Sequence, residues 1–185
     1  AEQTVFTSVA TLGQRGLLTF GPRFAFTNIL NVGTIGALNY YTAESSPDSL
    51  VAGRVVGQLY YLFGTKTIEA WAQTGNSDDP FQIQDGMTQQ VGCACRDGIV
   101  RGDNTLFFLD HAFNPRRLGQ GASEIINPDD PWVTILLKRA GAANIRGKVY
   151  EENAHVFVAW RTPIGEVWYD VLTRQWHTRG TLNTD

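Results

Sequence analysis

The sequence predicts an all-β, propeller-like fold on three observations. It has short runs of β-branched and aromatic residues, turn residues between them, and one strand pattern recurring at nearly constant spacing. In chain order, Gly16–Phe20 with Phe24–Ile29 forms the first and least regular unit. Arg54–Phe63 and Thr67–Gln73 read as strands joined by the tight turn Gly64-Thr65. Thr105–Leu109 follows, and His155–Trp160 and Glu166–Leu172 are joined through Thr162-Pro163-Ile164-Gly165. One stretch breaks the pattern. Asp129-Asp130-Pro131-Trp132 followed by Val133–Ala140 carries helix-start signals, with Lys138-Arg139 near the end and Gly141 after it. A short helix is expected there, although Trp132–Leu137 also reads as a buried strand.

Gln58–Phe63, Asn104–Leu109 and Asn153–Val158 each open on a polar turn residue and continue as a strand, at spacings of 46 and 49 residues. Repeats of about 40–50 residues are those of propeller blades, each a four-stranded antiparallel sheet. Tyr60-Tyr61-Leu62-Phe63 and Leu106-Phe107-Phe108-Leu109 are apolar at consecutive positions, as expected of strands covered on both faces. The alternative, a β-sandwich, would show one polar face per strand. The 185 residues are read as a single β domain, 1–185, and as a fragment of a longer propeller protein. The start, Ala1-Glu2-Gln3, has neither an initiator Met nor a signal-peptide pattern.

Charged residues make up only 18% of the chain, against roughly 25% in ordinary soluble domains. Five Trp, six Tyr and ten Phe supply aromatic surface suited to cores and contacts. The net charge of −3 and the absence of a long basic run argue against sequence-specific nucleic-acid binding. No apolar run of about 18 residues exists, so no membrane span is expected.

No catalytic, cofactor-binding or metal-binding constellation is legible. Cys93-Ala94-Cys95 lacks zinc-ligand spacing, and His111, His155 and His177 are scattered, so the two thiols are expected to be small buried groups. Asp78-Asp79-Pro80 and Asp129-Asp130-Pro131 read as turn chemistry rather than a glycosidase pair. Nucleophile-elbow, phosphate-loop and calcium-loop patterns are missing. Trp71, Trp132, Trp160, Trp168 and Trp176 are assigned to cores or subunit interfaces before a stacking platform.

Several segments are similar to one known family. Gly33–Val51 resembles its L-x-[FY]-x-x-A-E-x-x-P-D stretch, and Leu62–Gly75 its L-F-G-x-x-T-I-E-x-W-x-x-T-G. Pro80-Phe81, Gly92-Cys93-Ala94, Asp103–Leu109, Val167-Trp168-Tyr169-Asp170 and Gln175-Trp176-His177 follow in the family's order. The family is the packaged-DNA stabilisation protein, a tail accessory factor or tail nozzle, of short-tailed bacteriophages. The similarity runs from about residue 24 to 178, with its specific part at 33–110. It lapses over 111–150, and Cys95 departs from the pattern.

The resemblance implies a non-enzymatic structural subunit of the virion, assembled in the host bacterial cytoplasm. Its partners would be other copies in a homo-oligomeric ring, the portal-adaptor protein, and a tail needle or plug, and the ring would close the DNA exit channel. No cofactor is implied. The alternative is a glycan-binding or glycan-hydrolysing tail propeller. Within Gly33–Val51, a contact loop is expected at Tyr40, Tyr41, Glu44, Ser46, Pro47 and Asp48, where a polar turn lies beside two tyrosines.

Overall fold

The computed structural model describes residues 5–43 and 48–179. Among them, sixteen strands form four antiparallel four-stranded sheets, each ordered strictly along the chain. Blade 1 comprises β1 (Ser8–Leu12), β2 (Arg15–Phe20), β3 (Arg23–Phe26) and β4 (Tyr40–Thr42). Blade 2 comprises β5 (Leu50–Val56), β6 (Leu59–Gly64), β7 (Ile68–Gln73) and β8 (Phe81–Ile83). Blade 3 comprises β9 (Val100–Gly102), β10 (Thr105–Leu109), β11 (Pro115–Leu118) and β12 (Ser123–Ile125). Blade 4 comprises β13 (Arg146–Glu152), β14 (His155–Thr162), β15 (Gly165–Asp170) and β16 (Gln175–Arg179). Four repeated meanders are the propeller-like arrangement expected, not the exchange of strands between two sheets that marks a sandwich.

The turn residues that open each repeat are the hairpin turns between first and second strands. Gly13-Gln14, Asp103-Asn104 and Asn153-Ala154 all have positive φ at both positions, and Gly57 has it before Gln58. Such turns match the right-handed twist of the flanking strands. They also correct one expectation. Arg54–Phe63 is not one strand but a hairpin, with Arg54 opposite Tyr61 and Val56 opposite Leu59. The apolar residues on either side of Gly57-Gln58 hid a two-residue reversal. Two other predicted strands end early, β3 at Phe26 and β15 at Asp170.

The chain forms two compact units, one built on blades 1 and 2 and the other on blades 3 and 4. In the first, Leu12, Leu17, Phe24 and Phe26 of blade 1 pack against Tyr60, Leu62, Trp71 and Phe81 in and beside blade 2. Phe24 lies at its centre, with ring centroids 5.3 Å from Tyr60, 5.3 Å from Trp71 and 5.9 Å from Phe81. Burial of each such ring contributes about 1.5–3 kcal/mol. Gly92 is fixed by crowding, since a Cβ there would stand 1.9 Å from the Thr65 carbonyl oxygen.

In the second unit, Phe107 and Leu109 of blade 3 and Val158, Trp160, Val167 and Tyr169 of blade 4 share a core with the helix α1 (Pro131–Ala140). The helix expected from Pro131 is thus present. Val133 and Leu137, one turn apart, are both fully buried, while Gly141 closes the helix at φ 80° with its N–H on the Leu137 carbonyl. The consecutive apolar runs behave as expected in β6 and β10, where Tyr60–Phe63 and Leu106–Leu109 are all buried. Blade 4 differs. In β13 the half-buried Gly147 and Val149 alternate with the exposed Arg146, Lys148 and Tyr150.

All five Trp N–H groups have acceptors: Glu69 for Trp71, Asp130 for Trp132, the Gly98 carbonyl for Trp160, Glu166 for Trp168 and the Ile126 carbonyl for Trp176. Trp71 and Trp168 use the same device, a Glu two residues earlier on the third strand of a blade. Residues i and i+2 share a strand face, so the carboxylate meets the indole edge without any turn.

Candidate interaction surface

The β3–β4 connection, residues 27–39, departs most from an ordinary surface loop. No charged residue occurs between Phe24 and Ala43. Polar bonds fix its backbone: Thr27 N–H to the Gly16 carbonyl at 2.9 Å, Leu30 N–H to the Gln14 carbonyl at 3.0 Å, and Asn39 Nδ2 to Asn28 Oδ1 at 3.1 Å. With the asparagines bonded to each other and to the chain, apolar side chains point outward. Ile29, Leu30, Val32 and Leu38 are 52%, 80%, 75% and 85% exposed. Leu30 also holds φ at +56°, a conformation uncommon for a residue other than glycine. An exposed apolar cluster on an ordered loop is a candidate interaction site.

Beside the loop lies a groove of about 490 Å³, whose walls include Phe26, Ile29, Leu38, Tyr41 and Asp79. Its floor is rigid. Arg15 is buried, donates to the Thr27 carbonyl at 2.9 Å, and places its guanidinium 5.4 Å from the Phe26 ring centroid. The Tyr41 hydroxyl donates to Asp79 Oδ1 at 2.5 Å and accepts from the Phe81 N–H at 3.4 Å. Burial, reinforced by this bond to a carboxylate, pushes the Tyr41 phenol up to about 12, so it stays a neutral donor.

The structure distributes the expected contact loop unevenly. Tyr40 and Tyr41 lie on β4 and line the groove, Tyr40 partly exposed with the Arg23 guanidinium 4.8 Å from its ring centroid. Asp48 is buried, and its Oδ2 accepts the Lys66 and Thr67 N–H groups at 2.5 and 3.1 Å. It thereby fixes the turn between β6 and β7. Glu44, Ser46 and Pro47 lie outside the described residues.

Sequence reasoning missed Asp79, which it read only as turn chemistry, and the apolar loop at 29–38. The legible signal was the twenty-residue stretch without charge. Among the described residues, no three His, Cys, Asp or Glu side chains are gathered to hold a metal. Cys93 and Cys95 are both buried, and burial raises the Cys95 thiol to about 11 against an opposing hydrogen bond from the Gly98 backbone. No helix is long and apolar enough to cross a membrane.

Comparison with curated proteins returned no match. Residues 4–117, more than half of the chain, match the model of the phage stabilisation family described as Bacteriophage P22 Gp10, beta-propeller. With four meander blades in hand and the expected motifs between Gly33 and Leu109 inside the matched span, the chain belongs to this family of packaged-DNA stabilisation proteins, structural components of the phage tail.

Proposed function

We propose that this protein is a ring-forming subunit below the portal and its adaptor, where it helps to close the DNA exit channel and retain packaged DNA. The observation that carries the reading is the ordered, uncharged β3–β4 loop with its exposed Ile29, Leu30, Val32 and Leu38, inside the family-matched span. Its partners are further copies of the chain, the adaptor, and the tail needle or plug. The 1–185 domain is part of a longer propeller protein in this reading, and its work is steric rather than catalytic.

Light scattering on the protein alone and mixed with a purified portal-adaptor assembly tests the proposal. A ring of defined mass, or co-elution with the adaptor, supports it. A protein that stays monomeric and ignores the adaptor sinks it.

A further inference from the structure

Blades 3 and 4 leave a pocket of about 270 Å³ between them. Its walls are β11 and β12 of blade 3, the segment 126–130 before α1, and β15 with the turn that follows it. Tyr169 stands with Val167 on the face of blade 4 that shares the core with blade 3. A blade following β16 would meet the opposite face, so the pocket belongs to a blade junction whose two sides are both present.

The walls are held in place by the chain itself. The Ile126 N–H donates to the Pro115 carbonyl at 3.0 Å, and the Ile126 carbonyl accepts the Trp176 indole N–H at 3.0 Å. Asp130 accepts the Trp132 indole N–H at 3.0 Å, while its own N–H donates to the Asn127 carbonyl at 3.1 Å. Arg174 is fixed at φ 59°, uncommon for a residue with a side chain, and its N–H bonds the Asp170 carbonyl at 2.8 Å. Ligand sites are mostly preformed in this manner.

Several polar atoms in the walls have no partner. Tyr169 is 5% exposed, with its ring centroid 5.0 Å from Trp176 and 6.4 Å from Phe107. Its hydroxyl nevertheless makes no hydrogen bond among the described residues. A buried tyrosine hydroxyl normally finds one. The charges that act on it most strongly are those of Arg174, Glu124 and Arg117, all in the pocket wall, so it faces the pocket. Glu124 lies directly opposite Arg117 across the β11–β12 ladder. Arg117 turns instead to Asp103 at 2.6 Å, and among the described residues Glu124 and Arg174 make no ion pair.

This set of groups selects a class of ligand. Two guanidiniums and three carboxylates are mixed in the wall, so an ion of either sign meets like charge there. A neutral polyhydroxyl ligand does not, because each hydroxyl gives its hydrogen to a carboxylate and its oxygen to an N–H donor. Ile125, 41% exposed, and Pro128 add apolar surface for the C–H side of a pyranose ring.

We propose that this pocket binds one residue of a neutral saccharide, whose hydroxyls bond the Tyr169 hydroxyl, the Arg174 guanidinium and the Glu124 carboxylate. The inference concerns binding, and it stands apart from the ring reading, since a sugar at this junction neither requires nor prevents assembly.

The test titrates the protein with the methyl α-pyranosides of glucose, galactose, mannose and N-acetylglucosamine, followed by saturation-transfer NMR. Tyr169→Phe removes only the unpartnered hydroxyl, and Arg174→Ala trims an exposed side chain, so both fold as wild type, which circular dichroism melts check. At least one glycoside is expected to bind in the millimolar range. Its affinity falls about two- to tenfold in Tyr169→Phe and about tenfold or more in Arg174→Ala. Tighter binding of oligosaccharides of that sugar assigns the pocket to a polymer, and equal binding to a free or terminal sugar; both support the proposal. Absence of binding by every glycoside overturns it, as does binding that either variant leaves unchanged. Arginine methyl ester binding in place of the sugars, weakened by Glu124→Gln, assigns the pocket to a cationic side chain and also overturns it. The ring reading is judged separately, by light scattering.

Discussion

Replacing Asp48 separates a contact role from an architectural one. Its Oδ2 receives the Thr67 N–H at 3.1 Å and the Lys66 N–H at 2.5 Å. Thr67 is buried, so water does not replace the lost acceptor there, whereas Lys66 is exposed and its N–H can turn to solvent. A hydrogen bond to a charged acceptor is worth about 1.5–3 kcal/mol, and a buried N–H left without one costs about 1–3 kcal/mol. Asp48→Ala is therefore expected to lose about 2–4 kcal/mol. Asp48→Asn, which keeps an oxygen in place, loses about 1–2 kcal/mol on the same scale. With a urea slope of about 2 kcal/mol per molar, the alanine midpoint falls by roughly 1–2 M. Urea titration followed by tryptophan fluorescence measures this directly. An alanine variant within about 0.5 kcal/mol of wild type, as for an ordinary surface change, refutes the turn-anchoring argument. Normal stability with weakened assembly would return Asp48 to the contact surface.

Gly92→Ala forces a Cβ onto the Thr65 carbonyl oxygen, and because backbone cannot swing aside, a loss above about 3 kcal/mol or an insoluble product is expected. Acid unfolding depends on Asp110 and Asp170. Burial raises both carboxyls, but hydrogen bonds from Arg116 and the Asn114 and Ala112 backbone for Asp110, and from Thr173, His155 and the Leu172 backbone for Asp170, outweigh it and hold both below the usual range. Their unfolded forms bind protons first, so the stabilisation is present above about pH 4 and is lost as pH falls further, and Asp110→Asn flattens that slope in a pH series of melts. Neither Cys93 nor Cys95 is expected to react appreciably with a thiol reagent at pH 8 in the native protein, whereas both react in denaturant. Rapid native labelling of Cys95 contradicts its placement beside Gly98.

Blade phase was legible because turn chemistry is local. Asn104 and Asn153 announced hairpins that only residues tolerant of positive φ build readily. Helix α1 was legible for the same reason, through Pro131 and Gly141. The hairpin inside Arg54–Phe63 was missed because Val55, Val56, Leu59 and Tyr60 form a nearly continuous apolar run, in which one glycine is a weak signal. Of the proposed contact surface, Tyr40 and Tyr41 stood out as a pair beside a polar turn. Asp79 did not, since its meeting with Tyr41 joins residues 38 positions apart, a distance no local pattern encodes. The meeting of Lys148 and Arg179 over the Trp168 ring stayed hidden likewise, because it arises only through strand register.

The strict chain order of each meander bears on how the protein reaches its native state. Within each sheet every strand pairs only with its neighbours in sequence, and the turn-proximal partners of β1 and β2, Leu12 and Arg15, are three residues apart. Contacts this local close small loops and favour rapid folding. A blade can thus complete its hydrogen bonding soon after its last strand leaves the ribosome. The last strands of blades 1, 2 and 3, namely β4, β8 and β12, are three residues each, too short to template pairing with a stray chain. That brevity guards nascent chains against aggregation.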